Sequence, residues 1–157
     1  MFTKKKPEIG DLKFLNSAKT KKFAVVYSEW NSEIVNRLLD GVYDFFEKIN
    51  IPKNKIFNSN VPGSFEIVHE VSKLQNKKKY DVIIAVGSII KGETSHDKYI
   101  AQSVFNAISK LNCRNLCPII LCLLTDDNYK QAFERSGGNQ GNKGYDCALA
   151  AAKMSII

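Results

Sequence analysis

The run "YDVIIAVGSII" at residues 80–90 constrains this chain more than any other feature. It is rich in β-branched residues, so a strand is its natural state, and it is far shorter than the ~20 apolar residues that cross a bilayer. A strand without polar alternation has no face to give to water. It needs cover on both sides, which a parallel sheet obtains when helices lie above and below it.

The same kind of run recurs at "FAVVYS" (23–28), "KIFNSNVPG" (55–63) and "PIILCLLT" (118–125), each read as a strand that is apolar almost throughout. Between them the apolar period lengthens. In "EIVNRLLDGVYDFFEKI", residues Ile34, Val35, Leu38, Leu39, Val42, Phe45, Phe46 and Ile49 recur at spacings of one, three and four, which predicts an amphipathic helix ended before Pro52. Ile67, Val68, Val71 and Leu74 predict a second helix, and Ile100, Val104, Ile108 and Leu111 a third. A short helix is expected over about 128–136, and a last one after Gly141 and Gly144 on "CALAAAKM". Residues 1–21 show no sustained period and are expected to form an extended arm, with a short strand near Leu12 to Leu15. The remaining 22–157 are read as one domain, a length that suits a single core. Four strand–helix alternations predict an α/β three-layer sandwich with a four-stranded parallel sheet.

Charge and cysteine content exclude several classes. The net charge of +7 sits largely in the clusters "KKK" (4–6), "KTKK" (19–22) and "KKK" (77–79), which read as solvated tail and loop positions. No nucleic-acid module accompanies them. Cys113, Cys117, Cys122 and Cys147 have neither CxxC spacing nor nearby histidines, so free thiols are expected, with no metal. The lysines at the amino terminus are not followed by an apolar stretch as a secretory signal would be, and a cytoplasmic protein without membrane contact is expected.

In open parallel sheets, ligands bind beyond the carboxyl ends of the strands. The polar stretches of this chain fall there: "SEWN", "VPGSFE", "KGETSH" and "TDDN". Singly, each has a structural reading. Trp30 can be a packing aromatic, "VPG" a turn, Thr94 or Ser95 a helix cap and Glu66 a surface carboxylate. In this order, with "ERSGGNQGNKG" at 134–144, they resemble the lumazine synthase family over nearly everything after the arm.

That resemblance implies a flavodoxin-like sandwich and a transferase of riboflavin biosynthesis without cofactor or metal. The reaction it implies condenses 5-amino-6-(D-ribitylamino)uracil with 3,4-dihydroxy-2-butanone 4-phosphate to 6,7-dimethyl-8-ribityllumazine, phosphate and water. It further implies pentamers, or icosahedral shells of pentamers around a riboflavin synthase partner, with each active site between neighbouring subunits. The compact "SGGNQGNKG" segment matches the shell-forming type.

Residue by residue, Trp30 matches the aromatic that stacks on the pyrimidine and Asn31 its companion. Gly63, Ser64, Phe65 and Glu66 match the stretch facing the ring and the ribityl hydroxyls, with Ser88, Ile89 and Ile90 lining the same pocket. Gly92, Glu93 and Thr94 match the phosphate loop, where free N–H groups at a helix amino terminus suit an anion. Arg135 is the matching phosphate cation and Lys143 its neighbour on the substrate side. His96 matches the proton carrier, a role that suits an imidazole with its unperturbed pKa of about 6.5. His69 matches no site.

Two departures stand out. The histidine is followed by Asp97, Lys98 and Tyr99, which shifts the family's acid by one position, and Leu121 replaces a phenylalanine that touches the ring from across the subunit boundary. Two rival readings share the fold: a lumazine-synthase-like riboflavin synthase and a flavin-binding shell protein without turnover.

Overall fold

A computed structural model describes residues 9–157. Among them, β1 (Phe23–Ser28), β2 (Ile56–Val61), β3 (Val82–Ile90) and β4 (Ile119–Asp126) form a parallel sheet in the order β2-β1-β3-β4. Helices α1 (Ser32–Lys48) and α5 (Lys143–Met154) cover one face, and α2 (Ile67–Asn76) and α3 (His96–Asn112) the other. The expected three-layer sandwich is therefore the fold, with the strand order of flavodoxin-like proteins.

Strand alternation sorts the core into two layers. Phe23, Val25, Val82, Ile84, Val86, Cys122 and Leu124 face α1 and α5, whereas Ala24, Val26, Ile83, Ala85, Ile119 and Leu123 face α2 and α3. The α1 stripe buries Ile34, Val35, Leu38, Leu39, Val42, Phe45 and Phe46. At roughly 1.5–3 kcal/mol for each large side chain, that stripe outweighs the ~1 kcal/mol cost of Gly41 within the helix.

Three expectations need correction. β2 is not apolar throughout: it is the edge strand, with Phe57, Asn58 and Asn60 exposed, because no strand lies beyond it among the described residues. In place of an extended arm with a strand near Leu12 to Leu15, residues Ile9–Thr20 wind in 3₁₀ turns. These turns bury Leu12, Leu15 and Ala18 at three-residue spacing, the period of a 3₁₀ helix. The cluster "KKK" at 4–6 lies outside the described residues. The third helix starts at His96, ahead of its apolar stripe.

The third correction concerns the carboxyl-terminal region. After α4 (Tyr129–Arg135) the chain forms a small hairpin, β5 (Ser136–Gly138) and β6 (Gly141–Asn142), and α5 begins before Gly144. Asn142 knots these parts together. Its Oδ1 accepts from Gly144 N at 2.8 Å as the α5 cap, while Nδ2 donates to Arg37 O at 2.7 Å and Ser136 O at 3.1 Å. The α4 start is built in a similar way: Asn128 Oδ1 accepts from Gln131 N, and Gln131 Oε1 accepts in return from Asp127 N.

The four cysteines are free, as expected, and the Cys147 sulfur together with burial holds the Cys122 thiol well above its ordinary pKa. Among the described residues no helix is long and apolar enough to cross a membrane.

Candidate active site

The strand order reverses between β1 and β3, because the chain leaves β1 toward β2 on one side and returns to β3 on the other. At such a switch point the connecting loops part and leave a crevice at the carboxyl ends. Asn31 closes its floor. It sits in the left-handed region at φ 56°, a conformation asparagine tolerates, and its Nδ2 donates to Ser88 O at the end of β3 over 2.8 Å.

Backbone pairing of β1 with β2 continues past the strand ends. Glu29 N donates to Val61 O at 2.9 Å and Trp30 N to Pro62 O at 3.2 Å, which sets Trp30 beside the turn at 62–66. Its side chain is 74% exposed, and Phe65 across the turn is 57% exposed. Two large aromatics held open at one crevice are surface that a flat ligand would cover. Gly87 on β3 lets this turn pack closely, since a Cβ there would lie 2.9 Å from Ser64 Oγ and 2.8 Å from Leu123 Cδ1.

The result is a cleft of about 890 Å³ lined by Trp30, Asn31, Gly63, Ser64, Phe65, Glu66, Ser88, Ile89, Ile90, Gly92, Thr94 and His96. Twelve residues expected at the site from sequence thus meet in one place. Helix α3 adds residues that sequence reasoning did not assign to it: Tyr99, Ile100 and Ser103 line the cleft with His96. Their spacing from His96 of three, four and seven is one face of a helix, a signal present in the sequence once the helix start is set at His96.

A second cleft of about 480 Å³ adjoins the first and shares Ile89, Gly92, Thr94 and Asp97 with it. Glu93 lines this one instead, with Lys91, Ser95 and Asp126. A Cβ at Gly92 would meet nothing within 4 Å, so the loop stands clear of the rest of the fold. Thr94 Oγ1 accepts from His96 N at 3.4 Å, a long capping contact at the start of α3. Asp97 turns one carboxylate oxygen, Oδ1, into a buried position without a hydrogen-bond partner among the described residues.

The remaining expected residues lie elsewhere. Leu121 is on β4, packed toward the α2 and α3 layer, and neither cleft includes it. Lys143 is exposed at the start of α5. Arg135 ends α4 and pairs with Asp126, Nη1 to Oδ1, at 3.0 Å. His69 is exposed on α2, away from both clefts.

An open parallel sheet with a largely apolar crevice at its switch point, walled by aromatics and a histidine-bearing helix, places the chain in the flavodoxin-like class of α/β sandwiches with a small-molecule cleft at the strand ends. Residues 20–157 match the family model for 6,7-dimethyl-8-ribityllumazine synthase, and the chain belongs to that family. It is 41% identical over 148 residues to the 6,7-dimethyl-8-ribityllumazine synthase of Christiangramia forsetii, covering 94% of this chain and 88% of that protein. The enzyme of the same name from Cytophaga hutchinsonii is 42% identical over 132 residues, 84% and 83% of the two chains. That of Buchnera aphidicola is 40% identical over 142 residues, 90% and 89%.

Proposed function

We propose that this chain is a transferase of riboflavin biosynthesis that condenses 5-amino-6-(D-ribitylamino)uracil with 3,4-dihydroxy-2-butanone 4-phosphate. The products are 6,7-dimethyl-8-ribityllumazine, phosphate and water. The observation that carries this reading is the meeting of Trp30, Gly63 to Glu66, Ser88 to Ile90, Gly92, Thr94 and His96 in one switch-point cleft of a chain of this family.

The roles follow from chemistry and position. Trp30 offers an indole face for the pyrimidine, and Ile89 and Ile90 give apolar walls. Backbone groups at Gly63 and Ser64, with the Phe65 ring and the Glu66 carboxylate, meet the ribityl chain, and Ser88 backs the ring through the Asn31 bond to its carbonyl. Gly92, Glu93 and Thr94 hold the phosphate at the start of α3, with Arg135 as its counter-charge.

The amine attacks the ketone to form an imine with loss of water, phosphate leaves by elimination, and the enol becomes a ketone on which the second amine closes with loss of a second water. Holding two substrates in reacting geometry supplies most of the acceleration, and His96 moves protons between the steps.

Leu121 and Lys143, being off the cleft of their own chain, serve the site of a neighbouring copy. We take the protein as a homo-oligomer built of pentamers, closed into an icosahedral shell that can enclose a riboflavin synthase. The exposed Tyr99 and Phe105 on α3 support burial against another copy, and the tight β5–β6 turn leaves no bulky insertion at 136–142. Sedimentation velocity is expected to give a particle of about sixty chains, and a lone pentamer would overturn the shell. We take residues 22–157 as the catalytic unit, residues 1–21 as its arm, and the cytoplasm as its location.

The test is lumazine formation from the two purified substrates, followed by absorbance against the uncatalysed mixture. His96→Ala is expected to lower kcat by about 100-fold, the lower end for general acid–base catalysis, without reaching the background rate. Complete loss in an intact assembly would sink the ranking of positioning over proton transfer. Folded wild type that binds a flavin-like ring yet shows no turnover would replace the enzyme by a binding shell, and turnover of lumazine itself would point to a riboflavin synthase.

A further inference from the structure

We propose that the end of the sheet where the strands begin, opposite the cleft, is a docking face for the phosphate backbone of a nucleic acid. This is independent of how the cleft is read.

In a parallel sheet every strand begins at the same end, so the segments that enter β1, β2, β3 and β4 lie side by side. Side chain and backbone bonds hold them there. Asp81 N donates to Lys22 O at 2.7 Å between the entries of β1 and β3, and Arg114 Nη2 donates to Asn76 Oδ1 at 2.6 Å between those of β3 and β4. Three lysines fall in 19–22, two in 50–55 and three in 76–81, and 112–118 contributes Arg114. Along the chain these are separate clusters, each with the look of a solvated loop. The strand order β2-β1-β3-β4 turns them into one row of nine cations, with at least one from every segment. Lys22, Lys53, Lys77, Lys78, Lys79 and Arg114 are exposed.

The row lacks counter-charge. Asp81 is the one acid in the four segments, and its Oδ2 accepts from the Lys22 backbone N at 2.7 Å. Among the described residues none of the nine cations is in an ion pair. The last turn of α1 adds Glu47 against Lys48, and that of α3 adds Lys110. The carboxyl ends of α1, α2 and α3 bring about half a negative charge each, roughly 1.5 in all, which leaves most of the positive excess standing. The opposite end of the sheet has the reverse balance. The segments leaving the strands, 29–31, 62–66, 91–95 and 127–128, carry four acids and a single lysine, Lys91. A chain merely rich in lysine would show the excess at both ends.

The shape of the row selects the partner. Neighbouring strands lie ~4.8 Å apart, so four strand starts span roughly 14 Å. Each strand of a duplex carries a phosphate about every 3.4 Å along the axis, so the row faces about four of them. Lysines meet phosphates as point charges and read no bases, so this binding needs no sequence-reading module. A row of like charge fits a linear polyanion better than it fits a broad lipid surface. The cleft is at the other end of the strands, so an occupant here leaves the cleft mouth open.

The experiment titrates the full-length protein in its native assembly into a labelled DNA duplex of about 20 base pairs and arbitrary sequence, read by fluorescence anisotropy between about 50 and 200 mM salt. Kd is expected to rise roughly 100-fold over that range, the loss for about four phosphate contacts. The variant Lys77→Gln, Lys78→Gln, Lys79→Gln should bind about tenfold more weakly and with a salt slope smaller by about one to two, while its lumazine formation stays at the wild-type rate. Lys21→Gln with Lys22→Gln should act in the same direction, and carries the test if the triple variant does not fold. Lys91→Gln, Lys98→Gln, Lys130→Gln removes equal charge from the opposite end and should leave Kd within about twofold of wild type. An equal loss in that control would mean that net charge alone attracts the duplex, and would overturn the face. So would a duplex that stays free at the lowest salt, or a Kd that the row variants do not change. Cosedimentation with phosphatidylserine vesicles while the duplex stays free would assign the row to a lipid surface and overturn the proposal as well.

Discussion

Arg135→Ala is expected to lower kcat/KM for the phosphorylated substrate by roughly 100-fold while KM for the pyrimidine holds. A guanidinium fork on phosphate makes two charge-assisted hydrogen bonds, each worth about 1.5–3 kcal/mol when desolvated. Exposure of 45% screens them, so the lower end applies, and about 2.8 kcal/mol is two factors of ten. Initial rates at varied phosphorylated substrate give the number directly. Arg135→Lys keeps the charge but not the fork and should fall between.

The ion pair complicates that variant in a way that can be controlled. Asp126 is buried, so removing Arg135 leaves a carboxylate without its counter-charge, a change that costs about 3–5 kcal/mol for fully buried pairs and less here because Arg135 is partly exposed. Instability could then imitate loss of phosphate binding. The double variant Arg135→Ala with Asp126→Asn removes the stranded charge and is expected to restore the melting temperature without restoring the rate. If the rate returned with stability, the defect would lie in the buried charge, and Arg135 would no longer be assigned to phosphate.

Much of the fold was legible because its signals are local. The apolar runs at β1, β3 and β4 need no partner to be recognised, and the α1 stripe declares its buried face over more than four turns. β2 misled for the same reason: "KIFNSNVPG" has a strand's length and flanks, and whether a strand is central or at an edge depends on the sheet order, which no local pattern carries. The β5–β6 hairpin, with Gly137 at φ 117° and Gly141 at φ 81°, is too short to set up an alternation. The 3₁₀ segment before β1 has its buried residues three apart, a period that resembles neither a strand nor a full α-helical stripe.

The cleft was legible to the extent that strand-end loops carry it. Trp30, the turn at 62–66 and the stretch from Ser88 to His96 all lie at or just past the end of a strand, so predicting the strands placed them. Tyr99, Ile100 and Ser103 required the register of α3, which depends on where that helix starts. Asp126 read as one more polar residue after a strand. Its significance comes from Arg135 nine positions later, and only the turn through α4 brings the two charges together.

Gly144→Ala should destabilise the protein by about 3–5 kcal/mol, the range of severe overpacking and strain. Local propensity argues the other way. Gly144 is in the first turn of α5, where alanine is better than glycine by up to ~1 kcal/mol. The packing decides against it, because a Cβ on Gly144 would overlap the carbonyl oxygen of Leu38 and lie 2.7 Å from its carbon. Both atoms are backbone of α1, so neither can swing aside as a side-chain tip would. Relief would require α1 and α5 to separate, opening the core layer to which Leu38 and Ala148 both belong and straining the three hydrogen bonds of Asn142. In a chain of this size the loss corresponds to a fall in melting temperature of roughly 10 °C by scanning calorimetry. Gly92→Ala is the matched control: with nothing within 4 Å of the added methyl and no left-handed backbone, it should stay within about 0.5 kcal/mol of wild type. Equal melting temperatures for the two variants would mean that α1 and α5 pack less closely than described, whereas a fall confined to Gly144→Ala would assign that glycine to helix contact and leave Gly92 open for the ligand.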